Sequence, residues 1–269
     1  MRHHLLEAER IEPKAMFYPK TMKQQIDELN SFLDDKQFRQ IQQRLADNGF
    51  RTGFACLFYG APGTGKTETV YQLARTTGRS IMVVDVPQIK SKWVGESEKN
   101  IKALFDRYRQ AVKRSEMAPI LLFNEADAIF GVRKNGAENA VDKMENTIQN
   151  IILQEMENLQ GIMIATTNLA GNLDGAFERR FLYKVHFEKP DAQVRRSIWQ
   201  AMIPDLSDQD AQALADGFDL SGGQIENIAR KDTINHILHG ASNDRLALLK
   251  GYCNDETIGT TPTRRRLGF

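Results

Sequence analysis

The chain has 269 residues, of which 41% are hydrophobic and 26% charged, a balance typical of globular proteins in water. Lys and Arg number 36 against 35 Asp and Glu, so the net charge is +1 and no global field draws the chain to nucleic acid or to an anionic membrane surface. The two cysteines, Cys56 and Cys253, exclude a disulfide framework. No signal-peptide core is present and no apolar run reaches the roughly 20 residues of a membrane helix, which predicts a cytosolic protein.

The N-terminal part of the chain carries two helical patterns. Apolar residues recur at helical spacing between positions 21 and 48, and Gly49 is a helix-stop signal. Residues 1–50 are therefore expected to form a helical lead-in to the main domain.

Five short apolar runs, separated by helical patterns, follow the lead-in. The runs are 54–59, 81–84, 120–123, 161–165 and, more weakly, 184–187, with helical periodicity at 96–114 and 141–159. Strands that alternate with helices form a parallel sheet covered on both faces. The sequence thus predicts an α/β domain over 51–190, built on a parallel five-stranded sheet between helices.

The pattern changes after Pro190, where strand-like runs cease. Residues 191–250 have helical patterns only, which predicts a small, all-helical C-terminal lid domain, and 251–269 is expected to be a tail without a core of its own. The polar, glycine-bearing stretch 131–139 predicts a loop.

A phosphate-binding motif joins the first run to the helix after it. Residues 60–67 read Gly-Ala-Pro-Gly-Thr-Gly-Lys-Thr and fit G-x-x-x-x-G-K-[ST] in the strand–helix setting that the motif requires. Backbone N–H groups and the helix N-terminus would bind phosphate oxygens, Lys66 would meet the outer phosphates and the Thr67 hydroxyl would ligate Mg²⁺ directly. The expected ATP-binding residues here are Gly60, Pro62, Gly63, Thr64, Gly65, Lys66, Thr67 and Glu68.

A second motif ends the run at 120–123, where P-loop ATPases carry an acid that holds Mg²⁺ through water and often a glutamate that activates water. This chain has Asn124-Glu125 at those positions. Asn124 keeps an acceptor oxygen but brings no charge, so Mg²⁺ should bind less tightly, while Glu125 is the candidate general base. Asn124 leaves open that the protein is a slow or non-hydrolysing ATPase.

The stretch 92–100, Lys-Trp-Val-Gly-Glu-Ser-Glu-Lys-Asn, carries a family resemblance. From residue 53 to about 240 the chain resembles the AAA family of ATPases, most of all the protein-remodelling subgroup with katanin and spastin. The resemblance implies that Lys92, Trp93, Val94 and Gly95 form a loop that grips substrate in the central pore of a ring. The alternative for Trp93 is a place in the core.

Three further segments are similar to AAA motifs. The resemblance implies that Asn168, after Ile164-Ala165-Thr166-Thr167, positions the attacking water, although such an asparagine is also common at a turn. Arg179 and Arg180 resemble the arginine fingers that act on a neighbour's ATP; the alternative is a surface ion pair, for instance with Glu178. Gly222 and Gly223 resemble the start of the lid helix, whose glycines approach the adenine.

The resemblance implies an ATP- and Mg²⁺-dependent ATPase that assembles into a ring, expected to be a hexamer, and remodels or threads a protein substrate, without nucleic acid or membrane as partner. The alternative is a nucleotide-gated binding or assembly module with little or no hydrolysis, which Asn124 supports. A DNA-acting loader or helicase is disfavoured by the pore-loop match and by the balanced charge.

Overall fold

The computed structural model describes residues 5–86, 97–131, 140–168, 171, 173–242 and 244–257, which divide into two compact units. The first unit contains the residues up to Met16, Lys20–Ala61 and Gly65–Phe187. The second contains the residues from Glu188 onward, together with Phe17–Pro19 and Pro62–Thr64. Three residues of the predicted phosphate loop are therefore grouped with the second unit.

A mostly parallel sheet forms the centre of the first unit. Its described strands are β1 (Leu5–Leu6), β2 (Phe54–Gly60), β3 (Ile81–Asp85), β4 (Ile120–Asn124), β5 (Ile162–Thr167) and β6 (Tyr183–Phe187). They lie in the order β1-β3-β4-β5-β2-β6, and all neighbours are parallel except β1, which pairs antiparallel with β3. The five predicted parallel strands are confirmed, and the two-residue edge strand β1 is an addition that the sequence pattern did not indicate.

Helices and buried apolar side chains surround this sheet. The described helices of the first unit are α1 (Lys20–Leu33), α2 (Asp35–Asp47), α3 (Lys66–Thr77), α4 (Ser97–Arg114), α5 (Asp127–Phe130), α6 (Ala140–Glu157) and α7 (Gly175–Glu178). Every residue of β5 is buried, as are the four apolar residues of β4. Strands with continuous apolar sequence are expected to be covered on both faces, and here that burial fixes the strand ends that carry the polar residues of the site.

Two buried polar side chains hold elements of the first unit together. Arg79 is fully buried, donates to Leu33 O at 2.9 Å and to Ala118 O at 2.8 Å, and so ties the end of α1 to the chain before β4. The Tyr108 hydroxyl accepts from Ile162 N at 2.7 Å and lies 2.9 Å from Pro119 O, which links α4 to the starts of two strands. Burial raises the pKa of the Tyr108 hydroxyl well above its usual range.

The second unit is helical in its described part. Its helices are α8 (Ala192–Met202), α9 (Asp208–Gly217), α10 (Gly222–His239) and α11 (Arg245–Thr257). Trp199 is fully buried within their apolar cluster. The predicted tail boundary at residue 251 falls inside α11, because Leu249 and Cys253, one helical turn apart, are both buried in that cluster.

Cys56 and Cys253 are both buried free thiols, as the apolar run around Cys56 predicted for that residue. Among the helices that the structure describes, none is long and apolar enough to span a bilayer.

Candidate nucleotide-binding site

The phosphate loop leaves β2 at Gly60 and enters α3 at Lys66. Gly65, the residue before the helix, has a left-handed backbone with φ of 89°. Gly60 has a φ of 143°, and a Cβ there would lie 2.2 Å from the carbonyl oxygen of Phe187. Glycine alone adopts these positive φ values and leaves room for the Phe187 carbonyl oxygen without strain. The glycine spacing of the motif therefore corresponds to a real backbone requirement.

Lys66 is a buried cation at the start of α3. The residue is 7% exposed, and Nζ donates to Gly60 O at 2.8 Å and to Ala61 O at 2.7 Å. Desolvation lowers the pKa of Lys66 to about 8, and the nearby charge of Asp127 partly opposes that shift. Because carbonyl groups carry no formal charge, the ammonium has capacity for an anionic partner such as phosphate.

The side chains of Thr67, Asn124 and Thr166 form a small hydrogen-bonded cluster across α3, β4 and β5. The Thr67 and Thr166 hydroxyls donate to the same Asn124 Oδ1, at 2.7 and 3.0 Å. Since the Thr67 proton points at Asn124, the lone pairs of Thr67 Oγ1 remain for a cation. The donor set therefore fits a Mg²⁺ that Thr67 ligates directly, with an uncharged amide in place of a carboxylate beside it.

Glu125 follows this cluster with an unusual backbone. Its φ of 53° is the one positive value for a residue other than glycine among those the structure describes, and its side chain is exposed. Hydrogen bonds from Glu125 N to Thr166 Oγ1 at 3.2 Å and from Ala126 N to Thr166 O at 2.9 Å hold the turn. A left-handed residue of this kind costs about 1–3 kcal/mol and is concentrated at functional sites.

Asn168 lies just beyond the end of β5 and contacts Asp127, a residue that the sequence motifs did not single out. Asn168 N donates to Asp127 Oδ1 at 2.7 Å, and Asn168 Nδ2 donates to Asp127 Oδ2 at 3.2 Å. Thr167 Oγ1 also donates to this carboxylate. The sequence shows only an acid two residues after Glu125, and the structure places that acid at the start of α5.

The two arginines after α7 differ in their surroundings. Arg179 is exposed, and Nε donates to Gly175 O at 3.1 Å. Arg180 is partly buried, forms an ion pair with Glu157 at the end of α6, and donates to Ala176 O at 2.8 Å. Glu178, a suggested ion-pair partner for these arginines, instead pairs with Lys184 at 3.1 Å.

The start of α10 belongs to the second unit and contacts Pro62–Thr64, the part of the phosphate loop that is grouped with the same unit. Gly223 N donates to Gly63 O at 2.9 Å, and a Cβ at Gly63 would lie 2.7 Å from Ser221 Oγ. Ser221 and Gln224 form a reciprocal capping box that fixes the first turn. Gly222 is the first residue of the helix.

Glu68, in the first turn of α3, is already paired, with Lys14 at 3.1 Å and with Gln72 Nε2 at 2.8 Å. The predicted pore-loop residues Lys92, Trp93, Val94 and Gly95 lie outside the described residues. Within the described ranges, no group of three or more His, Cys, Asp or Glu side chains could hold a metal ion.

The sheet, the glycine-dependent loop and the buried lysine define the class of this domain as a P-loop nucleotide-binding domain. Residues 56–189 match the family described as "ATPase family associated with various cellular activities (AAA)". The chain belongs to this AAA family, as its motifs predicted.

Similar proteins come from several organisms. Protein SAV of Sulfolobus acidocaldarius is 33% identical over 66% of this chain and 23% of its own length. A proteasome-associated ATPase of Thermobifida fusca is 35% identical over 56% of this chain and 28% of its own length. The protein SUPPRESSOR OF K(+) TRANSPORT GROWTH DEFECT 1 of Arabidopsis thaliana is 28% identical over 67% of this chain and 42% of its own length. The chain thus spans less than half the length of each of these relatives.

Proposed function

We propose that this chain binds and hydrolyses ATP with Mg²⁺ and acts as one subunit of a ring that remodels a protein substrate. The observation that carries the proposal is the convergence of Lys66, the Thr67–Asn124 pair and the exposed Glu125 at the carboxyl ends of β2 and β4. Ligands of open α/β sheets bind at this edge.

Each residue of this cluster has a role that its surroundings support. Lys66 exchanges two carbonyl contacts for the outer phosphates of ATP. Thr67 ligates Mg²⁺, which supplies charge that offsets the negative charge of the phosphates, and Asn124 orients that hydroxyl. Glu125, whose carboxylate is exposed at a turn held by Thr166, accepts a proton from the attacking water.

A ring would let one subunit complete the site of the next, and the two arginines differ in their suitability for this. Arg179 is exposed, and its terminal nitrogens have no partner among the described residues, so it can reach a neighbour's ATP. Arg180 forms an ion pair with Glu157 within its own subunit. We therefore assign the finger to Arg179 and an anchoring role to Arg180.

The remodelling activity and the assembly are drawn from the family resemblance and from the relatives. A proteasome-associated ATPase is among the proteins that this chain resembles. In the proposal a hexameric ring threads polypeptide past Trp93, with Gly222 and Gly223 beside the adenine. The cytosolic location stays a prediction.

Asn124 supports a second candidate, a nucleotide-gated assembly module with little hydrolysis. Its amide keeps the hydrogen bond to Thr67 but adds no negative charge, so the site can retain ATP binding while holding Mg²⁺ weakly. In such a module ATP would order the assembly and Glu125 would contribute little.

ATP turnover and ATP binding, both measured over a Mg²⁺ titration, separate these candidates. The wild type is compared with Glu125→Gln as the blank and with Glu116→Gln, an exposed glutamate away from the cluster, as the matched control. We expect Mg²⁺-dependent turnover in the wild type and the control, and binding without turnover in the blank. Binding without turnover in all three proteins would favour the assembly module, and absence of binding would refute both candidates.

A further inference from the structure

We propose that Asp127 is a positioning residue that fixes the amide of Asn168 in the one orientation that accepts a hydrogen bond from the attacking water. This inference rests on the proposed function, because it assigns a task to the same site. Asp127 itself has no direct contact with the water in this proposal and acts through Asn168.

The carboxylate of Asp127 is hydrogen-bonded to both the backbone and the side chain of Asn168. One carboxylate oxygen of Asp127 accepts from the Asn168 backbone N–H at 2.7 Å, and the other accepts from the Asn168 side-chain Nδ2 at 3.2 Å. The Thr167 hydroxyl adds a third donor to the same carboxylate. Both the backbone and the side chain of Asn168 are therefore held by a single group.

This arrangement determines which end of the amide is available. An ionised carboxylate only accepts hydrogen bonds, so the Asn168 amide must turn its NH₂ group towards Asp127. The Asn168 Oδ1 is then on the other side of the amide from Nδ2 and is left to accept a hydrogen bond. Without Asp127, the amide of an exposed asparagine would sample both orientations, since its terminal torsion is broad and roughly two-fold.

The position of Asp127 makes the orientation relevant to catalysis. Asp127 opens α5 two residues after Glu125, and Ala126 N donates to Thr166 O at 2.9 Å, so the ends of β4 and β5 are bonded side by side. The candidate base and the oriented amide are thus carried by one hydrogen-bonded unit. Glu125 removes one proton of the water while Asn168 Oδ1 accepts a hydrogen bond from the other O–H.

A simpler role for Asp127 would be to stabilise the start of α5, where an acid interacts favourably with the helix dipole. The two roles predict different effects of substitutions at Asp127 and Asn168. A stabilising role predicts a lower unfolding temperature and independent effects of Asp127 and Asn168 on turnover. A positioning role predicts that the two residues act as one unit on kcat.

The test is a double-mutant cycle in the full chain, with kcat and KM for ATP measured at saturating Mg²⁺. We expect Asp127→Ala and Asn168→Ala each to lower kcat by about 10- to 100-fold, the range that misplacement of a reacting group produces. The kcat of the double variant should lie within about twofold of the kcat of the less active single variant. A factor of about two is the usual error with which the effects of independent substitutions add. Asp127→Asn keeps one acceptor and should be intermediate, and Asp27→Ala, an exposed acid paired with Lys23, should match the wild type.

The proposal would be overturned if the kcat losses of the two single variants multiply in the double variant. It would also be overturned if Asp127→Ala changes the unfolding temperature and KM but leaves kcat unchanged. If the alanine variant does not fold, the same comparison with Asp127→Asn decides. Hydrogen exchange of the Asn168 backbone amide tests the geometry even if the wild type has no turnover. We expect faster exchange in both Asp127 variants, and unchanged exchange would refute the positioning role independently of the ATPase proposal.

Discussion

The protonation of Lys66 predicts how ATP affinity depends on pH. Desolvation lowers the pKa of this ammonium to about 8 in the free protein. The phosphates of ATP favour the charged form and therefore raise its pKa in the complex. Below about pH 7 Lys66 is charged both in the free protein and in the ATP complex, so its protonation should leave ATP affinity independent of pH. Above pH 8 the free protein must take up a proton to bind ATP.

The size of the effect follows from the pKa of about 8. At pH 9 roughly nine tenths of the free protein carries a neutral Lys66, so binding should take up about 0.9 proton. The dissociation constant should rise by up to about tenfold per pH unit above pH 8, until the pKa of the complex is reached.

Isothermal titration calorimetry at pH 9, in two buffers with different ionisation enthalpies, counts this proton directly. Lys66→Arg is the matched control, because a guanidinium stays charged at this pH and should take up none. Equal dissociation constants at pH 7 and pH 9, together with no proton uptake by the wild type, would refute the assignment of a desolvated lysine to the phosphates.

Three further substitutions have expected outcomes. Asn124→Asp restores a charge beside Thr67 and should lower the Mg²⁺ concentration needed for half-maximal turnover by about 10- to 100-fold. Tyr108→Phe leaves Ile162 N without its buried acceptor and should reduce the free energy of unfolding by about 1–3 kcal/mol in urea titrations. Arg245→Ala removes the partner of the buried Asp232 and should cost about 2–3 kcal/mol at pH 7, also measured in urea.

Each of these predictions has its own contradicting result. Superimposable Mg²⁺ titrations for Asn124→Asp and the wild type would remove residue 124 from the metal's surroundings. A Tyr108→Phe variant as stable as the wild type would mean that another group satisfies the backbone there. For Arg245→Ala, the control is Arg245→Ala/Asp232→Asn, which should recover part of the loss because no buried charge is left unpaired.

The strands and the phosphate loop were predictable because strong local patterns encode them. Continuous apolar runs such as 120–123 predict buried strands, and the glycines at Gly60 and Gly65 meet backbone demands that no other residue satisfies. By contrast, Leu5–Leu6 is too short to show any period, and its pairing with β3 depends on contacts distant in sequence.

The polar partners in the site were not predictable because they depend on the fold. Asp127 and Asn168 are 41 residues apart, and only the parallel pairing of β4 and β5 brings them together. Arg180 and Glu157 meet across the end of α6, whereas the sequence offered Glu178, two residues before Arg180, as a partner. A lone acid or an arginine pair has many local explanations, so only tertiary contacts assign its role.

The most direct test of an ATP-hydrolysing ring with shared sites is subunit mixing. Arg179→Ala and Glu125→Gln are each expected to be nearly inactive alone. In a 1:1 mixture about a quarter of the sites should pair an intact Glu125 with an intact Arg179 from the next subunit, which predicts roughly a quarter of wild-type turnover. Arg179→Ala mixed with the double variant Glu125→Gln/Arg179→Ala should stay inactive. A mixture no more active than its separate components, at concentrations where the ring forms, would contradict the account.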